Sequence, residues 1–253
     1  MLDCDGVLAD TERYGHLVAF NQTFAEFGLP AHWSVAEYKH KLRIGGGKER
    51  MASLLTPEFV TAAGLPADHA GQQEAIARWH KRKTEIYTRL VTEGRVPPRS
   101  GVARIVGEAI AAGWPVAVAS TSAEPAVAAT LARAVGAELA QKVKVFAGDI
   151  VSRKKPAPDI YVLALDWLGL PASQVVVIED SRNGLLAASG AGLACVITVN
   201  DFTSDEDFSE AALVVSALGD PGGEQAVVIE NRAGIPETGD WITLADLANA
   251  LPH

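Results

Sequence analysis

A chain of 253 residues, 48% hydrophobic and 21% charged, has the makeup of a globular protein and length for one or two domains. Its net charge of −9 argues against nucleic acid as a general partner, and no apolar run reaches the roughly 18 residues of a membrane span. Two cysteines, Cys4 and Cys195, exclude a disulfide scaffold and point to a reducing compartment.

The first cluster with chemical content is Asp3-Cys4-Asp5-Gly6-Val7-Leu8-Ala9-Asp10-Thr11. Apolar residues before Asp3 and a glycine after Asp5 place both acids where a strand gives way to a loop. An extended backbone sends residues 3 and 5 to one face with Cys4 on the other, and a turn at the glycine changes how the two acids approach a common centre. One carboxylate can then attack phosphorus and the other can move a proton. The plainer reading is a pair of turn-forming acids. Only Met1 and Leu2 precede Asp3, so the strand is expected to begin upstream of the numbered start, together with any transit peptide.

Residues 12–95 lack valine runs and carry apolar side chains at helical spacing: Val18, Phe20, Phe24 and Phe27, then Ile76, Trp79, Ile86 and Leu90. Breaks fall at 28–30, 45–47 and 64–66. This predicts a small helical domain inserted after the first strand. Between Lys39 and Arg50, five basic side chains (Lys39, Lys41, Arg43, Lys48, Arg50) stand against one acid, Glu49. Such a patch on an acidic protein suits a small anionic ligand, or is simply a solvated helix face.

After the hinge-like Val96-Pro97-Pro98-Arg99-Ser100-Gly101 the pattern changes. Short apolar runs at 116–120, 143–147, 175–179, 194–199 and 213–217 alternate with alanine-rich helical stretches, including 123–135 and 184–191. Near-continuous hydrophobicity is that of parallel strands covered on both faces, so residues 1–11 and 96–253 are expected to form a doubly wound, Rossmann-like α/β core. Residues 227–229 and 241–244 are read as added strands and 245–251 as a helix. Glycines 184, 190 and 192 are not in dinucleotide-fingerprint order and are read as helix–sheet packing positions.

Three positions join the aspartates. Ser120 ends a strand and is followed by Thr121 and Ser122 before a helix, a natural phosphate cradle or an ordinary cap. Lys155, in Lys154-Lys155-Pro156-Ala157-Pro158-Asp159, is placed to neutralise carboxylate and phosphate charge, or is a solvated lysine. Glu179-Asp180 closes a buried strand, where adjacent acids are costly unless paired or bound to a metal; Mg²⁺ wants such hard oxygen ligands.

These four segments, in this order, resemble the four motifs of the haloacid dehalogenase superfamily, in its phosphatase branch with a helical cap. The resemblance spans essentially the whole chain. It implies Asp3 as nucleophile and Asp5 as general acid/base. Lys155, Ser120 and Thr121 would hold the phosphoryl group, and Mg²⁺ would lie among Asp3, Asp5, Glu179 and Asp180. The cap stretches Ile44–Met51 and His80–Glu85, with Phe146–Asp149 and Asp205–Phe208, resemble the narrower CbbY-like group. That group implies hydrolysis of xylulose 1,5-bisphosphate, a Rubisco inhibitor, to xylulose 5-phosphate. Gly47, Lys48 and Arg50 would then take the second phosphate, with Ser122, Glu12 and His16 also near the substrate. A β-phosphoglucomutase, which returns the phosphoryl group to sugar, is the alternative. A monomer is expected, cytoplasmic in a bacterium or in the plastid stroma of a plant or alga.

Overall fold

The computed structural model describes residues 1–236 and 239–252. It divides into two compact units, Met1–Asp10 with Pro97–His253 and, separately, Thr11–Val96.

The first unit is built on a sheet of β1 (Ala117–Ser120), β2 (Lys144–Ala147), β3 (Val176–Glu179), β4 (Ala194–Thr198), β5 (Leu213–Val215) and β6 (Val228–Asn231). Strands β1 and β2 run parallel, as do β3, β4 and β5; β6 is added antiparallel to β5. Leu2 bridges Val118 of β1 and Ile178 of β3 in parallel sense, so the first residues occupy the centre of the array. Chain order therefore reverses on either side of Leu2, and the crevice at such a reversal is where open α/β sheets bind ligands.

Alternation along the strands explains the two layers of core. Leu2, Val118, Ile178, Val196, Leu213 and Val215 face one way, into a cluster with the helices Val102–Ala111, Glu124–Val135 and Leu244–Asn249. Ala117, Ala119, Val177, Cys195, Ile197 and Val214 face the other, against Asp159–Leu168 and Arg182–Gly190. Both faces are apolar because both are covered, which is why the strands read as unbroken hydrophobic runs.

One reading near the end of the chain changes. Residues 241–243 form no strand. Ile242 is buried and donates its amide to Leu218 at 2.7 Å, while Thr243 caps the helix Leu244–Asn249 through a reciprocal box with Asp246. β-branched residues there fit a cap as well as a strand. The antiparallel β6 is exposed along its length, unlike the buried parallel strands.

The second unit is helical: Glu12–His16, a π-helical turn continuing into Leu17–Glu26, then Val35–Lys41, Gly47–Ala52, Pro57–Ala62 and the long His69–Thr92. Ser34 and Glu37 cap the second helix reciprocally, Thr56 the fourth and Asp68 the fifth. Its core gathers Phe20, Phe24, Trp33, Tyr38 and Trp79. Val18 and Phe27, read as part of the buried stripe, are exposed. Val18 lies about 200° around the helix from Phe20, and Phe27 is already the C-cap.

Candidate active site

The crevice of the α/β unit is lined by short segments that end strands. Asp3 leaves the central segment with its amide on Ile178 O at 2.9 Å. The chain turns at Gly6, whose φ of +77° is open to glycine at little cost, and the Gly6 amide closes the turn on Ala9 O at 3.1 Å. A side chain at Gly6 would also collide: a Cβ there would stand 2.0 Å from Asp180 Oδ2. The sequence thus packs the turn after Asp5 directly against the second acid of the Glu179-Asp180 pair.

Asp3, Glu179 and Asp180 each bring a carboxylate oxygen to within 4.8 Å of the others, and all three are buried. Lys155 stands among them. Its Nζ donates to Asp3 Oδ1 and to Glu179 Oε1, both at 2.6 Å, and lies 2.9 Å from Ala119 O and 3.1 Å from the Tyr161 hydroxyl. Three ammonium protons serve four oxygens. Tyr161 in turn donates to Glu179 Oε1 at 2.5 Å, and the Asp180 amide donates to Glu179 Oε2 at 3.1 Å. Gly184 makes room: a Cβ there would be 2.0 Å from the Glu179 carboxyl carbon.

Electrostatics sets what this cluster wants. Burial pushes the Asp3 carboxyl up to about 7, against the pull of Lys155 and with added repulsion from Glu179 and Asp5. Burial alone would lower Lys155; Asp3 and Glu179 overturn that and hold it above the ordinary lysine range. Three buried carboxylates thus crowd around one ammonium. Oxygen donors of that number and charge fit a divalent cation.

Asp5 behaves differently. Its Oδ2 accepts a short hydrogen bond from the Ser122 hydroxyl, and its carboxylate is outside the three-acid cluster. That bond ties the Asp5 carboxylate to the loop after β1. Ser120 is buried at the end of β1, and its Oγ accepts the Ser122 amide at 3.1 Å. Thr121 lies between them, half-buried. The Ser122 amide, one of the donors expected for a phosphate cradle, is thus turned onto Ser120.

In the helical unit several of the other predicted residues form a polar group. Glu12 and His16 are buried. The Tyr38 hydroxyl donates to Glu12 Oε2 at 2.5 Å, and Arg50 Nη1 lies 3.1 Å from that hydroxyl and 3.8 Å from Glu12. Arg50 Nε also holds Ile44 O at 3.0 Å. His16 Nδ1 sits 2.7 Å from Lys83 Nζ and its ring stacks on Tyr87 at 4.1 Å. Gly47 must be small, because a Cβ would come within 2.8 Å of His80 Nε2; Lys48 follows it on the same short helix, half-buried.

Sequence reasoning missed Tyr161, Asn200, Tyr38 and Lys83. Lys83 stood inside a stretch already singled out and Tyr161 two residues beyond another, where a hydroxyl near charged motif residues was the available signal. Asn200, whose Nδ2 donates to Asp180 Oδ2 at 2.7 Å, carries no local signal at all.

An Asp-x-Asp turn, a buried lysine and an acidic pair meeting at the strand ends of a doubly wound sheet define a haloacid dehalogenase-type site. A family model for haloacid dehalogenase-like hydrolases matches residues 1–192, and the chain belongs to that family. Among its relatives, a CBBY-like protein of Arabidopsis thaliana is 46% identical, covering 89% of this chain and 70% of its own length. Protein CbbY of Cereibacter sphaeroides is 41% identical, covering 88% and 93%. The crystal structure of CbbY from Rhodobacter sphaeroides with phosphate superposes with a TM-score of 0.75 at 39% identity, over 85% of this chain and 92% of that one. A variant of that protein in complex with xylulose 1,5-bisphosphate gives 0.76 at 38%, with the same coverage. No helix among the described residues is long and apolar enough to cross a membrane.

Proposed function

We propose that this chain is a Mg²⁺-dependent phosphatase that removes one phosphate from a sugar bisphosphate, with xylulose 1,5-bisphosphate as substrate, through an aspartyl phosphate on Asp3. The observation that carries the reading is the buried juxtaposition of Asp3, Lys155, Glu179 and Asp180. Its support in specificity is the high similarity to the CbbY proteins, one of which binds that bisphosphate.

Asp3 supplies the attacking oxygen, so it acts as the carboxylate. Lys155 holds that carboxylate at 2.6 Å and is positioned to share its protons with the oxygens of an arriving phosphoryl group. Asp3, Asp180 and the Asp5 backbone carbonyl would hold Mg²⁺, which would supply positive charge and polarise the phosphoryl oxygens. Ser120 and Thr121 flank the phosphoryl position. Asp5, held by Ser122, donates a proton to the leaving oxygen and then takes one from the water that cleaves the acyl phosphate. Lys48 recognises the second phosphate, and the protein acts as a monomer, in the plastid stroma or bacterial cytoplasm.

The test is a panel of sugar mono- and bisphosphates assayed for phosphate release with Mg²⁺ and with chelator. Xylulose 1,5-bisphosphate should be hydrolysed fastest, giving one phosphate per sugar, and chelator should stop it. Little free phosphate but interconversion of hexose phosphates would indicate a mutase. Turnover unaffected by chelator would end the reading.

A further inference from the structure

One guanidinium outside the carboxylate cluster reaches four backbone carbonyls. Arg99 lies just after the chain re-enters the α/β unit. Its Nη1 donates to Gly6 O at 2.9 Å and more weakly to Thr198 O at 3.4 Å. Its Nη2 donates to Val199 O at 2.8 Å and Ser216 O at 2.6 Å. The backbone joins in, since the Arg99 amide bonds Leu8 O at 3.1 Å. Arg99 thereby staples the turn after Asp5 to the carboxyl ends of β4 and β5.

The residue it grips tolerates no side chain. On its other side, Gly6 packs so tightly against Asp180 and Asn200 that an added Cβ would lie 2.0 Å from the Asp180 carboxylate and 2.8 Å from Asn200 Nδ2. A shift of the Gly6 peptide therefore moves Asp5 through one covalent link and Asp180 through direct contact. Only a planar fork with donors in several directions serves carbonyls from three segments at once; an ammonium on a flexible stem does not.

We propose that Arg99 is a positioning residue for this reaction, one that sets the places of Asp5 and Asp180 by holding the Gly6 carbonyl and touches neither substrate nor reacting atoms. The inference rests on the phosphatase reading. A mere brace for the fold would change stability and leave the geometry of the acids alone.

The experiment compares wild type, Arg99→Lys and Arg99→Ala by thermal melting, by calorimetric titration with Mg²⁺ in the absence of substrate, and by steady-state hydrolysis of xylulose 1,5-bisphosphate. Arg99→Lys should fold, bind Mg²⁺ more weakly and lose about 10–100-fold in kcat with KM little changed. Low millimolar guanidinium should recover part of the activity of Arg99→Ala and none should be gained by wild type. The proposal is overturned if both variants keep wild-type kcat and Mg²⁺ affinity while melting lower, or if Arg99→Lys does not fold. Asp3→Asn run alongside separates the two levels: an active Asp3→Asn removes the phosphatase reading, whereas an inert Asp3→Asn with an unaffected Arg99→Lys removes only the role of Arg99.

Discussion

Each unit of this protein buries a lysine, and the two meet different groups. Lys155 and Lys83 are 7% and 6% exposed. Lys155 meets two carboxylates at 2.6 Å. Lys83 meets an imidazole nitrogen at 2.7 Å and lies over the rings of Phe20 and Tyr87 at 4.7 and 5.3 Å. The first arrangement sets one ammonium against two carboxylates, which is a setting for an anionic reaction. The second brings ring faces and a histidine nitrogen against the ammonium, which orients that histidine. The difference teaches that burial of a lysine is not itself a signature of catalysis; the charge balance around it is.

The largest expected effect comes from breaking the first arrangement. Lys155→Met should lower kcat by at least about a hundredfold, through lost charge stabilisation at the phosphoryl oxygens. It should also cost about 3–5 kcal/mol of stability, since the carboxylates it pairs stay buried. Lys83→Met should cost only about 1–3 kcal/mol, the range for a lost buried hydrogen bond, and change turnover far less. Denaturant melts and steady-state kinetics on the two variants check this; equal losses of turnover would erase the contrast.

A second prediction uses pH. An acid whose folded value is raised, as burial raises Asp3 from 3.8 to about 7, binds more protons folded than unfolded between those values. Its contribution therefore lowers the stability of metal-free protein as pH climbs through that window, with no further change above it. Mg²⁺ should restore stability most strongly at and above pH 7, because it needs the ionised carboxylates. Melting temperatures across pH with and without Mg²⁺ measure it. Metal-free stability that rises through the window, or Mg²⁺ that stabilises equally at pH 4, would contradict the charge balance described.

The smallest effect concerns substrate recognition. Replacing Lys48 with alanine should raise KM for a bisphosphate about tenfold, the worth of one charge-assisted contact, and leave a monophosphate nearly unchanged. Arg50, already tied to Tyr38 and Ile44, should show a stability loss as well.

Much of the α/β unit was legible because buried parallel strands write themselves as valine and isoleucine runs, and because its chemistry sits where those runs stop. Asp3, Ser120 and Glu179 each mark a strand end. Tertiary pairings were not legible. Arg99 contacts Gly6 across 93 residues and Ser216 across 117, and no local pattern encodes a bond from a side chain to a distant carbonyl. In the helical unit, helical spacing located Phe20 and Phe24 but overextended the stripe to Val18. Residues 241–243 misled because Trp, Ile and Thr favour strands, while the capping box of Thr243 and Asp246 decided the outcome.

The most direct test is to trap the covalent species. Borohydride added during turnover with xylulose 1,5-bisphosphate and Mg²⁺ reduces an acyl phosphate, and peptide mass spectrometry locates the reduced residue. Reduction confined to Asp3 is the expected result. Reduction at Asp5 instead, or an unmodified Asp3 peptide during rapid phosphate release, would contradict the account.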